Sequence, residues 1–140
     1  MKDENLALID TDILIEILRK KEPAYLRAIN YLKKYGEFNI SCLVYYECLR
    51  GLKTINAPKK LLAFNKLMEI TNIIFLDKEI FDKASEIYAF LKSKGELKGE
   101  FDILIGTTAL VKDLSLVTNN ERHYEPLKNY FGLRIQNWMK

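Results

Sequence analysis

Residues 6–12, Leu6-Ala7-Leu8-Ile9-Asp10-Thr11-Asp12, set a short apolar run directly ahead of polar residues able to cap a helix. Such a run reads as a strand buried on both faces, and the Asp-Thr-Asp after it as the turn into a helix. Asp10 then stands at the C-terminal end of the strand. In an open parallel sheet that is where loops diverge, helix N-termini point inward and ligands bind.

The same alternation continues outward from this stretch. Ile13 to Lys20 has helical spacing, and Pro23 opens a second helix that keeps Ala28, Tyr31, Leu32 and Tyr35 on one face until Gly36. Phe38 to Ile40 reads as a strand, and Ser41 as the N-cap of a helix through Leu43, Val44, Glu47 and Arg50. A helix from Pro58, a strand over Asn72 to Leu76 and a cap at Asp77 follow, then a periodic helix through Ile80, Ala84, Ile87, Tyr88 and Leu91 to about Gly95. A polar loop from Glu96 to Glu100 precedes a helix with Asp102 at its N-terminus. Leu116 to Thr118 reads as a strand, Asn119-Asn120 as a turn and Leu133 to Ile135 as a last strand. Strands alternating with helices predict an α/β fold: one domain over 1–140, with a central parallel sheet of about five strands flanked by helices.

Composition agrees with a folded chain. Of 140 residues, 49% are hydrophobic and 29% charged, which excludes disordered and fibrous classes. No apolar run reaches the roughly 18 to 20 residues that span a bilayer, and Met1 to Asn5 is too polar to begin a secretory signal. A cytoplasmic protein is expected, with no membrane partner. The net charge of +3 permits nucleic acid as a partner without demanding it. Cys42 and Cys48, six apart on a predicted helix, point about 120° away from each other and read as reduced core residues. With His123 as the lone histidine and no CxxC pair, any metal must be bound mostly by oxygen.

Oxygen donors are where the chemistry concentrates. Asp10, Asp12 and Asn120 fall at predicted strand ends, Asp102 begins a helix beside the same edge, and Glu47 reaches it from a neighbouring helix. Glu47 shares its helical face with Leu43, Val44 and Gly51, so its carboxylate lies on an apolar stripe and needs a cation, a basic side chain or water. Each acid also has a plainer reading: Asp12 and Asp102 as helix caps, Asp10 and Asn119-Asn120 as turn residues, Glu47 as an ion pair with Arg50.

The stretches LIDTDILIEIL, YYECLRGL, KGEFDILIGTTAL and LVTNNERHYEPL, followed by GLRIQNW, resemble in order the motifs of VapC-type toxins of the PIN-domain superfamily. The resemblance runs from Leu8 to Trp138 and implies a magnesium- or manganese-dependent endoribonuclease. Its first acid falls on Asp10, the glutamate of its second motif on Glu47, its third acid on Asp102, and its T-x-Asp or T-x-Asn motif on Thr118 and Asn120. Asp10, Glu47, Asp102 and Asn120 are thus the expected catalytic set, with Asp10, Glu47 and Asp102 holding the metal. Asp12, where relatives often carry Asn, is a possible accessory residue together with Thr118, Glu100 and Glu121. The resemblance further implies an RNA substrate, a VapB-like antitoxin and a homodimer.

Hard divalent cations take carboxylate, amide and water oxygens, so such a set needs no histidine. Lysines and arginines at 19–21, 33–34, 50–53 and 92–98 are candidates for a basic rim, although most read as solvated helix faces. His123 reads as a surface or packing residue. Tyr45 and Tyr46 read as core or interface packing residues ahead of base stacking, and Tyr25, Tyr45 and Tyr46 are the exposed aromatic candidates for a dimer contact. Two alternatives compete: a noncatalytic PIN-like module binding RNA or protein, and a haloacid-dehalogenase-like phosphatase using Asp10 and Asp12, which requires a later lysine.

Overall fold

The computed structural model of the chain describes residues 5–140. Met1 to Glu4, on which most of the secretory-signal expectation rests, lie outside them. The buried run forms β1 (Ala7–Ile9), and Asp10 caps α1 (Thr11–Leu18) by accepting from the Thr11 N–H. Next come α2 (Ala24–Tyr35), β2 (Phe38–Ser41) and α3 (Cys42–Thr54), with the Ser41 hydroxyl accepting from the Leu43 N–H as expected of an N-cap. α4 (Pro58–Met68) leads to β3 (Thr71–Ile74), and Asp77 caps α5 (Lys78–Ser93) through the Ile80 N–H. The chain closes with α6 (Glu100–Val111), β4 (Ser115–Val117), α7 (Glu121–Phe131) and β5 (Ile135–Gln136).

Five short strands are present among the described residues, but they form two ladders instead of the one central sheet expected. β4 lies between β1 and β5, all parallel, with Ile9 opposite Val117; β2 and β3 form a separate parallel pair. β2 lies beside β1, yet side chains occupy the seam. The Ala7 N–H donates to the Tyr31 hydroxyl at 3.0 Å, and the Ala7 carbonyl accepts from the Asn39 side-chain amide at 3.2 Å. With its N–H and carbonyl both satisfied by side chains, Ala7 has no backbone group left to pair with β2.

α7 is the element missing from the sequence reading, which placed only a turn at Asn119-Asn120. Pro126 lies inside this helix and disguises it, since proline cannot donate the interior backbone hydrogen bond. Its buried face is short: Tyr124, Pro126 and Leu127. That face packs on α6, a helix buried nearly all round through Ile103, Ile105, Gly106, Thr107, Thr108 and Ala109. The contact depends on Gly106, where a Cβ would collide with Leu127 Cδ2 and lie 3.4 Å from Tyr124 Cδ1. The ends of β1 and β4 and the N-termini of α1, α6 and α7 are thereby brought to one edge. Among the described residues no helix is long and apolar enough to cross a membrane.

Candidate active site

Asp10 is the centre of this edge and is 6% exposed. Its Oδ1 accepts from the Thr11 N–H at 2.9 Å, and its Oδ2 accepts from Thr118 Oγ1 at 2.8 Å and from the Tyr124 hydroxyl at 3.3 Å. Burial, with the Asp12 charge adding to it, pushes its carboxyl up to about 6 against these hydrogen bonds. Asp102, in the first turn of α6, lies on the far side of the same phenol, 3.3 Å from Oδ1 to the Tyr124 oxygen.

Glu47 reaches the edge from α3 and accepts from Thr11 Oγ1 at 3.1 Å. The ion pair with Arg50 considered from sequence does not form; the Arg50 guanidinium lies over the Tyr46 ring at 4.9 Å instead. Behind Glu47, an apolar cavity of about 350 Å³ opens between α1, α3 and α4, lined by Ile15, Leu18, Cys48 and Leu52 with Arg19 and Lys60. The Cys48 thiol is free and buried, and desolvation with the Glu47 and Asp10 charges pushes it up to about 12. It is an inert core residue.

Asp12 behaves as a clamp. Oδ1 accepts from the Ile13 N–H at 2.8 Å and Oδ2 from the Asn119 N–H at 2.9 Å, tying α1 to the loop after β4. Burial raises its carboxyl above the ordinary value, while those backbone donors oppose the shift. Asn120 is exposed at the N-cap of α7, its side chain making no cap hydrogen bond and its N–H donating to Thr118 Oγ1 at 3.0 Å.

The possible accessory acids Glu100 and Glu121 stand at the N-termini of α6 and α7 without a hydrogen bond to Asp10, Glu47 or Asp102 among the described residues. Glu121 accepts from Lys140 Nζ at 2.8 Å and from Asn137 Nδ2 at 3.0 Å, which holds its carboxyl below the usual range. Glu100 is exposed and lines a groove with Phe81, Ser85 and Tyr88.

His123 is at the surface as expected, its side chain 57% exposed, and its Nδ1 lies 3.3 Å from Asp102 Oδ2. Of the three tyrosines offered for a dimer contact, only Tyr46 is exposed; Tyr45 packs on Phe64, in line with its packing reading, and Tyr25 is half-buried. Thr11 and Tyr124, which join the acids to one another, were missed. Their signals were present, Thr11 between two acids and Tyr124 six residues after Thr118, but neither means anything without the helices that aim them.

The donor chemistry suits a hard cation: carboxylate, hydroxyl and amide oxygens, with no thiolate or imidazole pair. Among the described residues no lysine or arginine forms an ion pair with Asp10, Asp12 or Glu47. The phosphatase alternative, which requires such a lysine, loses its support. Also among the described residues, no three His, Cys, Asp or Glu side chains close around one point.

Comparison with known proteins agrees with this architecture. The PIN domain profile matches residues 7–127. "Ribonuclease VapC1" of Methanocaldococcus jannaschii is 34% identical over 96% of this chain and 89% of its own length. The "tRNA(fMet)-specific endonuclease VapC" of Shigella flexneri is 29% identical over 94% of this chain and 96% of its own. Among solved structures, a DNA-bound VapBC from Salmonella typhimurium superposes with a TM-score of 0.82 at 24% identity, covering 96% of this chain and 98% of that one. The VapBC2 of Rickettsia felis bound to a promoter DNA fragment gives 0.81 at 23%, covering 94% and 98%. With a domain profile over most of its length and a relative of 34% identity matched nearly end to end, the chain belongs to the PIN-domain family, among its VapC-type members.

Proposed function

We propose that this chain is a divalent-metal-dependent endoribonuclease, the toxin of a VapBC-type pair, acting as one nuclease domain over residues 1–140. In this reading Asp10, Glu47 and Asp102 hold magnesium or manganese, and Asn120 contributes a neutral oxygen. RNA in the cytoplasm is the substrate, a VapB-like antitoxin the inhibitor and a homodimer the working assembly.

The observation that carries the site assignment is Asp10. Its carboxylate is 6% exposed, among the described residues accepts hydrogen bonds from neutral groups only, and has the Asp12 carboxylate as a charged neighbour. An ionised carboxylate so placed costs several kcal/mol unless a proton or a cation offsets it. A divalent ion bound there supplies an activated water and charge neutralisation at the attacked phosphate. Among the described residues no three such side chains close around one point, so an ion held by Asp10, Glu47 and Asp102 would need water among its ligands, as magnesium ordinarily does.

The chain's own side chains do the orienting. The Thr11 N–H and the Thr118 hydroxyl fix the two oxygens of Asp10, and the Thr11 hydroxyl turns Glu47 toward the same edge. Both oxygens of Asp12 are engaged by backbone N–H groups, so Asp12 holds the α7 entry loop and is not assigned as a ligand.

The test is cleavage of mixed cellular RNA by the purified protein, with magnesium and with chelator, followed by sequencing of the new ends. Defined ends that appear only with metal, and only with the parent and not with Asp102→Asn, are expected. Metal-independent cleavage, or a folded Asp102→Asn that cuts at the parent's rate, overturns the assignment.

A further inference from the structure

The proposed ligands do not touch one another directly; a tyrosine stands between two of them. Tyr124 is fully buried on α7, and its hydroxyl lies 3.3 Å from Asp10 Oδ2 at the end of β1 and 3.3 Å from Asp102 Oδ1 at the start of α6. Its ring also packs on α6 beside Gly106, where a Cβ would lie 3.4 Å from Cδ1, a contact separate from the hydroxyl's bonds to the acids. The hydroxyl thus lies between carboxylates carried by two other elements.

Phenylalanine would fill the same volume without bringing a polar atom into the core. A buried hydroxyl is costly unless hydrogen-bonded, and the partners found here are the two acids. A phenol has one proton, so it serves one carboxylate fully at a time, and a cation beside the pair can satisfy what the phenol cannot. Burial and the Asp10 and Asp102 charges hold the Tyr124 hydroxyl far above its ordinary pKa, so it is a neutral donor and not a base.

We propose that Tyr124 is a positioning residue of the metal site, its hydroxyl setting the separation and orientation of Asp10 and Asp102 for the cation. This rests on the reading of those acids as ligands.

The experiment is calorimetric titration of the full chain with manganese, without RNA, alongside the magnesium dependence of cleavage. Tyr124→Phe, which removes one oxygen, is expected to weaken manganese binding about tenfold. The magnesium needed for half-maximal cleavage should rise in parallel, while the rate at saturating metal stays within about twofold of the parent. Tyr124→Leu removes the ring as well. If Tyr124→Phe binds manganese as the parent does and only Tyr124→Leu is weakened, the ring and not the hydroxyl matters, and the proposal is overturned. Tighter binding by Tyr124→Phe overturns it too, since the hydroxyl would then compete with the ion. A parent that binds no manganese removes the ligand reading itself, a result distinct from a parent that binds and a Tyr124→Phe that matches it.

Discussion

Thr118 Oγ1 donates to Asp10 Oδ2 at 2.8 Å and accepts from the Asn120 N–H at 3.0 Å, so one hydroxyl joins the end of β1 to the start of α7. The bond spans paired strands, since β1 and β4 run in parallel register up to Ile9 opposite Val117. Thr118 is fully buried. Replacing it by Val keeps the shape, removes a hydrogen bond to a carboxylate and leaves the Asn120 N–H unpaired, at a cost of about 2 kcal/mol. Thr118→Ser, which keeps the hydroxyl, should retain metal-dependent cleavage, whereas Thr118→Val should melt several degrees lower and lose most activity. Equal melting temperatures for the two variants would remove the structural role given to this bond.

The Asp10 carboxyl makes stability pH-dependent in a defined direction. Its pKa rises from 3.8 to about 6 on folding, so between these values the folded state holds the proton that the unfolded state releases. Stability from this group is fully present below 3.8 and is lost as pH rises through about 6, amounting to about 3 kcal/mol at neutral pH. Asp12 shifts the same way, whereas Asp77 and Glu121 shift downward and act in a more acid window. In chelator, the melting temperature should therefore be higher at pH 5.5 than at pH 7, and Asp10→Asn should flatten that difference while abolishing cleavage. A pH-independent melting curve for the parent over this range contradicts the burial assigned to Asp10.

Magnesium should oppose the same effect, because it binds the ionised carboxylates of the folded state. At a hundred times its dissociation constant a ligand stabilises by about 2.7 kcal/mol, enough to raise the melting temperature of a chain this size by several degrees. The rise should be larger at pH 7 than at pH 5.5, where protons compete with the ion. Thermal melts with and without millimolar magnesium at both pH values measure it, and no shift at either would count against the site.

Asn120 and His123 should separate a ligand from a rim residue. Adding a negative charge near the cation by Asn120→Asp should lower the magnesium required for half-maximal cleavage about threefold, and Asn120→Ala should raise it modestly. His123→Ala should change the rate little, because an exposed contact to Asp102 is screened by solvent. Identical magnesium requirements for the parent and both Asn120 variants would leave the segment after β4 with a backbone role alone.

The homodimer is checked by light scattering across a range of protein concentrations. A dimeric mass is expected in the micromolar range, and a monomeric mass throughout would remove that part of the reading. Exposed Phe81, Tyr46 and Tyr130 are better contact candidates than Tyr25 and Tyr45, which are partly withdrawn from solvent.

What the linear chain determined by itself is local. Leu6 to Ile9 followed by Asp10 specifies a buried strand and a cap, and the caps at Ser41 and Asp77 form as their neighbours dictate. These depend on residues a few positions apart; Asp10 stands out by its place at a strand end, Glu47 and Asp102 as acids among apolar neighbours, and the order of the motifs joins the three as one set. The tertiary structure decided what the acids meet. That Glu47 accepts from Thr11 instead of pairing with Arg50, that Tyr124 bridges Asp10 and Asp102, and that Lys140 pairs with Glu121 all follow from the packing of distant elements. The split of the sheet is of the same kind, since it turns on the Tyr31 hydroxyl and the Asn39 amide reaching the backbone of Ala7. Helical and strand periodicity reports which face is buried; it carries no information about which partner a polar atom finds there, because that choice is made by side chains separated widely in the chain and joined only in space.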